Sequence, residues 1–278
     1  EFYVAINSRF NKSKREEKSN HLTLLAKDIQ GYKNLMKLIT LSYFEGYYYK
    51  PRVDLELLNK YSSGIIALSG CISGNIPRLI LEDRINEAIE SASKFCEIFG
   101  KENFYLEIQD QGLEEQKILN PKLIKMSEKL NIPLVATNDA HYLNKENHTA
   151  HDVLLCIQTR TTLDDKERLR FSTPEFYFKS KEEMFNIFKD IPEVLKNSIE
   201  ISEKCNLEIP LNLDLLPAYK VPENYNLDSY LEEICREGFN KRYSDPTDEI
   251  KDRLERELIV IKDMGYSGYF LIVWDFVN

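Results

Sequence analysis

The residues whose types and spacing could do chemistry stand where apolar runs stop. The stretch "LVATNDAHYL" (134–143) is the strongest case. Its apolar run, Leu134-Val135-Ala136, gives way to Asn138, Asp139, Ala140 and His141. Side chains two apart on an extended chain share a face, so Asp139 and His141 point the same way. A carboxylate and an imidazole so placed could chelate a divalent ion. The plainer alternative is a polar turn after a core strand, and the D-x-H spacing does not separate the two. Cys71 follows the apolar run "GIIALSG" (64–70). A free Cys is usually a small buried hydrophobe, but a thiolate at a strand end could also ligate a metal. His21 precedes the run "LTLLA", where a capping or surface role is the simple reading, and position alone argues nothing for Glu1.

Two further groupings are weaker. His148 and His151 in "HTAH" lie one helical turn apart. The segment lacks the Glu of H-E-x-x-H, so a supporting or surface role is expected. The loop Tyr47-Tyr48-Tyr49-Lys50-Pro51-Arg52 mixes aromatics with bases. It could stack on nucleobases while Lys50 and Arg52 touch phosphates, or it could be a partly buried loop. The motifs G-x-x-x-x-G-K-[ST], G-x-G-x-x-G and G-x-S-x-G are absent, which removes the main support for P-loop, dinucleotide-binding and serine-hydrolase readings.

The elements that must position these residues alternate along the first half of the chain. Strands are predicted over 21–28, 64–70, 103–109 and 133–139. Between them, 31–44 has helical spacing, and 53–62 is a short helix with Asp54 as its N-cap. In 84–100, Ile85, Ala88, Ile89, Ala92, Phe95 and Phe99 share one helical face, with Gly100 at its end. A helix over 113–130 is expected to break near Pro121. Such alternation predicts a parallel α/β architecture, open or closed, with functional groups at the C-terminal strand ends. After 139 the chain turns helical, at 144–159, 181–190 and 192–206, with a possible short strand at 175–180. Residues 206–227 carry three prolines and no helical period, and read as a linker. Helices resume over 227–243 and 248–278.

Composition sets broad limits. The chain has 278 residues, 42% hydrophobic and 30% charged, as an ordinary globular protein has. No apolar run reaches the length of a membrane span. The five cysteines are scattered without CxxC pairing, which favours a reducing, cytoplasmic setting over a disulfide framework. A net charge of −9 argues against a wholly basic nucleic-acid binder but leaves room for local basic patches. The chain opens in mid-strand without Met and closes on "GYFLIVWDFV", so it is expected to continue in both directions.

Taken in order, the strings "HLTLLAKDIQGYKNLMKLITLSYFEGYYYKPRVDLELL", "GIIALSGCISGNIPRLIL", "FYLEIQDQGLEEQK", "IPLVATNDAHYL", "AHDVLLCIQTRTTLDD" and "MGYSGYFLIVWDFV" resemble the bacterial replicative DNA polymerase III alpha subunits. Each motif alone is weak, whereas the ordered set is specific and covers essentially the whole chain. The resemblance implies an α/β fold: a distorted (β/α)7 PHP (polymerase and histidinol phosphatase) barrel over 1–210, lacking its first strands. The start of the polymerase core follows over 211–278. It also implies a cluster of divalent metals held by Glu1, His21, Cys71, Asp139 and His141. Thiolate and imidazole ligands suit Zn or Mn better than Mg. At Gln111 many relatives carry His, and no ligand role is assigned there.

The resemblance implies template-directed extension of DNA primers from dNTPs, with Mg for polymerisation bound outside this sequence. The implied partners are primer-template DNA, a sliding clamp, a proofreading exonuclease and other replisome subunits. The PHP site would be either a 3′→5′ exonuclease or a structural metal centre. The family's first metal motifs and its catalytic aspartates have no counterpart here, so the isolated chain is expected to be inactive. Two alternatives remain: a stand-alone PHP phosphoesterase acting on small esters, and a non-catalytic scaffold that docks a proofreading exonuclease.

Overall fold

A computed structural model describes residues 1–12, 20–211 and 217–278. In chain order the first unit contains β1 (Phe2–Ala5), β2 (Asn20–Ala26), α1 (Ile29–Phe44), β3 (Arg52–Asp54), α2 (Leu55–Lys60) and β4 (Ile65–Leu68). Then come α3 (Asn75–Leu81), α4 (Ile85–Phe99), β5 (Phe104–Ile108), α5 (Glu114–Leu130) and β6 (Leu134–Ala136). A 3-10 turn (Lys145–Asn147), α6 (His148–Thr159), α7 (Lys181–Ile187) and α8 (Glu193–Lys204) close it. The chain divides into two compact units, Glu1–Ile209 and Pro210–Asn278.

Six strands of the first unit form one sheet in the order β3-β1-β2-β4-β5-β6. The α/β class matches the alternation, but the all-parallel arrangement does not hold. β2 runs antiparallel to both its neighbours, β1 and β4, whereas the β1–β3, β4–β5 and β5–β6 pairs are parallel. Alternating hydropathy reports which face a residue takes, not the direction of its strand, so β2 carried no mark of its reversal. The registers Phe2↔Leu22 and Thr23↔Leu68 bring the start of β1, the start of β2 and the turn after β4 to one level.

Strand periodicity separates two faces. Phe2, Val4, Leu22, Leu24, Phe104, Leu106 and Ile108 enter the main core beneath α1 to α5. Ile66, Leu68, Tyr105 and Val135 point to the other face, where Ile201 of α8 completes a small apolar cluster. Each fully buried aliphatic side chain contributes about 1.5–3 kcal/mol. Asp28 caps α1 by accepting from the Gly31 N–H at 2.8 Å, and Asp54 caps α2 through the Leu57 N–H at 3.1 Å. Gly31 is obligatory, because a Cβ there would stand 1.9 Å from the Gly64 carbonyl oxygen.

Two expectations change here. The break near Pro121 is absent, and α5 is continuous with Pro121 inside it. Proline removes one rung of the helical ladder, while Leu119, Leu123 and Met126 keep both halves of α5 buried on the core. The strand expected at 175–180 reduces to a single bridge, Tyr142↔Tyr177.

In the second unit, α9 (Leu227–Arg242), α10 (Asp248–Asp263) and α11 (Ser267–Val277) follow the proline-rich stretch. That stretch contains no helix or strand among its described residues up to Asn226, and 212–216 lie outside the described residues. The predicted helix over 248–278 splits at Gly265, whose φ of +73° ends α10. Ser267 donates to Asp228 at 2.6 Å, tying the start of α11 to the start of α9.

Arg52 overturns its assignment as a DNA contact. Its exposure is 0%, and its guanidinium donates to the carbonyls of Gly46, Arg9 and Asn11 at 2.9–3.0 Å. Beside it Arg9 forks onto Asp54 at 2.9 Å and reaches Glu45 at 2.6 Å. An inward β3 side chain cannot reach a phosphate outside the fold, and its sequence neighbours gave no sign of that direction. Arg52→Ala is expected to cost about 3 kcal/mol or more in urea denaturation, since it strands buried carbonyls and opens a cavity. Lys50→Ala, at an exposed position, should stay within about 0.5 kcal/mol.

Candidate metal centre

Reversal of β2 delivers His21 to the turn that follows β4. The His21 N–H donates to Ser73 O at 3.1 Å, and His21 bridges Gly74. Gly70 adopts φ +84°, and a Cβ there would lie 2.6 Å from His21 O, so the turn needs glycine to approach this closely. The side chains then converge. His21 Nδ1 is 2.7 Å from Glu1 Oε1 and 3.6 Å from Cys71 Sγ. The ligand atoms of Glu1, His21 and Cys71 all lie within 4.8 Å of one another. The Tyr3 ring meets His21 edge-on, with centroids 5.2 Å apart, and the Lys50 ammonium lies 5.5 Å from the Tyr3 centroid.

Asp139 and His141 pair with each other instead. Past β6 the chain follows β5 one step further through Thr137 N–H to Ile108 O, then turns outward. His141 Nε2 lies 3.1 Å from Asp139 Oδ1. The His141 N–H donates to Phe176 O at 2.7 Å, and its ring meets Phe171 and Phe176 edge-on at 4.8 and 5.7 Å. Among the five expected ligands, the fold therefore gathers three into one cluster and two into an adjoining pair. Asp139 is still close enough to act on Cys71 electrostatically. The Cys71 thiol is pushed above its ordinary value by burial; the Ser73 backbone pulls it down, while Asp139, Glu1 and Glu107 push it further up. A concentration of negative charge around a thiol and an imidazole is what a divalent cation would relieve.

Glu107 is the functional-site residue that sequence reasoning missed. It is 6% exposed, on the face of β5 opposite the main core. Its carboxyl accepts from the Gly70 N–H at 3.1 Å, from Thr137 Oγ1 at 2.5 Å and from Gln109 Nε2 at 3.1 Å. One side chain thus ties the turn bearing Cys71 to the strand end that leads to Asp139. The signal was present: an acid inside the apolar strand "FYLEI" has to face something polar. Gln111 is buried, with its side-chain carbonyl accepting from Gln116. His148 and His151 do not join the three-residue cluster; His151 stands 5.7 Å from the His141 ring.

Residues 1–111, which supply the acid, the imidazole and the thiol of the cluster in this α/β unit, match the PHP domain family. Residues 229–278 match a second family, the bacterial DNA polymerase III alpha NTPase domain. Over the whole chain, the DNA polymerase III subunit alpha of Borreliella burgdorferi is 48% identical and that of Treponema pallidum 45%, each match covering 24% of the relative. The Aquifex aeolicus subunit is 40% identical, with 26% of its length covered. The chain belongs to the bacterial DNA polymerase III alpha subunit family, and spans about a quarter of the length of the curated relatives it matches.

Two outcomes follow from the site's electrostatics. Because the Cys71 thiol holds its proton more tightly than usual, a metal must displace that proton. Co²⁺ affinity, read from thiolate-to-cobalt absorption, should rise steadily from pH 6 to pH 8, and Cys71→Ser should abolish the absorption band. Burial raises the Glu107 pKa above its ordinary value, partly opposed by its hydrogen bonds to Thr137, Gly70 and Gln109. A raised native pKa means that the stability this group contributes is present below the ordinary carboxylate range and lost as pH rises through the native value. Glu107→Gln should therefore gain stability relative to the parent chain between pH 4.5 and 7.5, compared by urea denaturation at each pH.

Proposed function

We propose that residues 1–210 are a metal-dependent PHP domain acting on phosphodiester bonds of a DNA strand, in the sense of a 3′→5′ exonuclease. Residues 211–278 open the core of a DNA-directed DNA polymerase. The observation that carries this reading is the convergence of Glu1, His21 and Cys71 within 4.8 Å, in a unit whose sequence matches the PHP family. The donor set fits a divalent cation: a carboxylate, an imidazole nitrogen and a thiol sulfur lie within 4.8 Å of one another, and the negative charge of Asp139 also acts on Cys71. Thiolate and imidazole favour Zn or Mn over Mg. Mg for polymerisation would be bound elsewhere in the whole protein.

A cation held by Glu1, His21 and Cys71 supplies Lewis acidity toward a phosphoryl oxygen and lowers the pKa of water. The other residues bind and orient. Asp139 fixes the ring of His141 through Nε2, and Phe171 and Phe176 wall that ring on its sides. His141 is thereby positioned to hold or pass a proton at the reacting phosphate. Lys50, above Tyr3 at the rim, offers a positive charge to the strand. In the whole protein the partners are primer-template DNA, dNTPs, a sliding clamp and a proofreading exonuclease. A stand-alone phosphoesterase would leave the match at 229–278 without a role.

Asp139→Asn and His141→Ala in the intact polymerase test the reading. Loss of exonuclease activity by about a hundredfold, the size of a general acid-base contribution, with an unchanged melting temperature supports a catalytic site. A parent protein without nuclease activity, whose His21→Ala and Cys71→Ser variants melt lower, would assign the metal to structure and the domain to scaffolding.

A further inference from the structure

A second concave feature adjoins the Asp139–His141 pair. It is a cavity of about 200 Å³ between the first turn of α6 and the segment 168–173, lined by His148, His151, Asp152, Arg168, Arg170 and Tyr142 among others. Its lining is rich in donors. Arg168 and Asp152 form a two-pronged ion pair, at 2.5 and 2.7 Å, and the Arg168 side chain is only 7% exposed. That pair consumes the one acid in the wall, so a cation entering the cavity would meet Arg168 and Arg170 with no carboxylate to spare. Arg170 makes no hydrogen bond or ion pair among the described residues, though its charge is felt at Asp152.

We infer that this cavity is a phosphate subsite, occupied by a backbone phosphodiester of a nucleic-acid strand whose neighbouring linkage lies at Asp139 and His141. The ligand's identity as a strand rests on the phosphodiester reading above. With Arg168 and Asp152 cancelling, Arg170 leaves one net positive charge, the complement of a phosphodiester's single negative charge. Phe171 joins the two sites: its ring lies 4.8 Å from His141 and 4.9 Å from His151. An aromatic face between a phosphate cradle and the reacting pair suits a base or sugar lying between two phosphates. A free phosphate ion would satisfy the same donors, so the test separates the two.

The chain has four histidines, so each ring can be assigned by single substitution. The full chain, labelled in its histidine rings and kept in EDTA, would be titrated with a thymidine tetranucleotide and separately with inorganic phosphate. The tetranucleotide should move the His148 and His151 signals saturably. Arg170→Gln should weaken it about tenfold and reduce the salt dependence by about one phosphate contact, and Arg170→Lys should restore part of the loss. Unmoved His148 and His151 signals, or unchanged affinity in Arg170→Gln, would overturn the proposal. Saturation by inorganic phosphate but not by the tetranucleotide would overturn the strand assignment. Because EDTA removes metal, failure of the Glu1–His21–Cys71 centre to bind an ion would leave this result standing.

Discussion

His21 meets the turn after β4 backbone to backbone, through the hydrogen bond to Ser73 and the bridge to Gly74. Every other feature of the site depends on that seam. It exists because β2 runs against β1 and β4, so that the beginning of one strand reaches the end of another. A parallel β2 would have carried His21 to the opposite end of the strands. The seam tolerates no side chain at Gly70, whose Cβ would press on His21 O, and it sets the imidazole between Glu1 and Cys71.

Glu107 is the second support. A buried carboxyl in a strand is expensive unless donors surround it, and here a backbone N–H, a hydroxyl and an amide do so. Those donors come from three places: the turn after β4, the residue following β6, and the residue following β5. The acid therefore couples the Cys71 turn to the Asp139 end of the sheet, while burial keeps it reluctant to ionise. The centre is in this sense built from charges the fold holds at some cost, an arrangement common where a cation or a reaction is to be accommodated.

Unequal legibility among the candidate residues has a common cause. Asp139, His141 and Cys71 were visible because each interrupts or ends an apolar run, and hydropathy marks such endings directly. Glu1 and His21 carried no local mark, and only their resemblance to a family brought them forward. Arg52 was misread because a base beside three tyrosines looks exposed, whereas β3 turns it inward onto three carbonyl groups. Pro121 was misread because propensity is local, and the packing of Leu119, Leu123 and Met126 outweighs one missing hydrogen bond.

The amino-acid sequence by itself determined the alternation of strands and helices, the caps at Asp54 and Gly100, and the kinship with DNA polymerase III alpha subunits. These are written in local periodicity, local capping chemistry and ordered similarity. Tertiary structure alone decided the direction of β2, the division of five expected ligands into a three-residue cluster and a pair, and the roles of Glu107 and Arg52. Each of these depends on groups separated by tens of residues. Their distance in space is set by strand register and burial, quantities that no local stretch of sequence encodes.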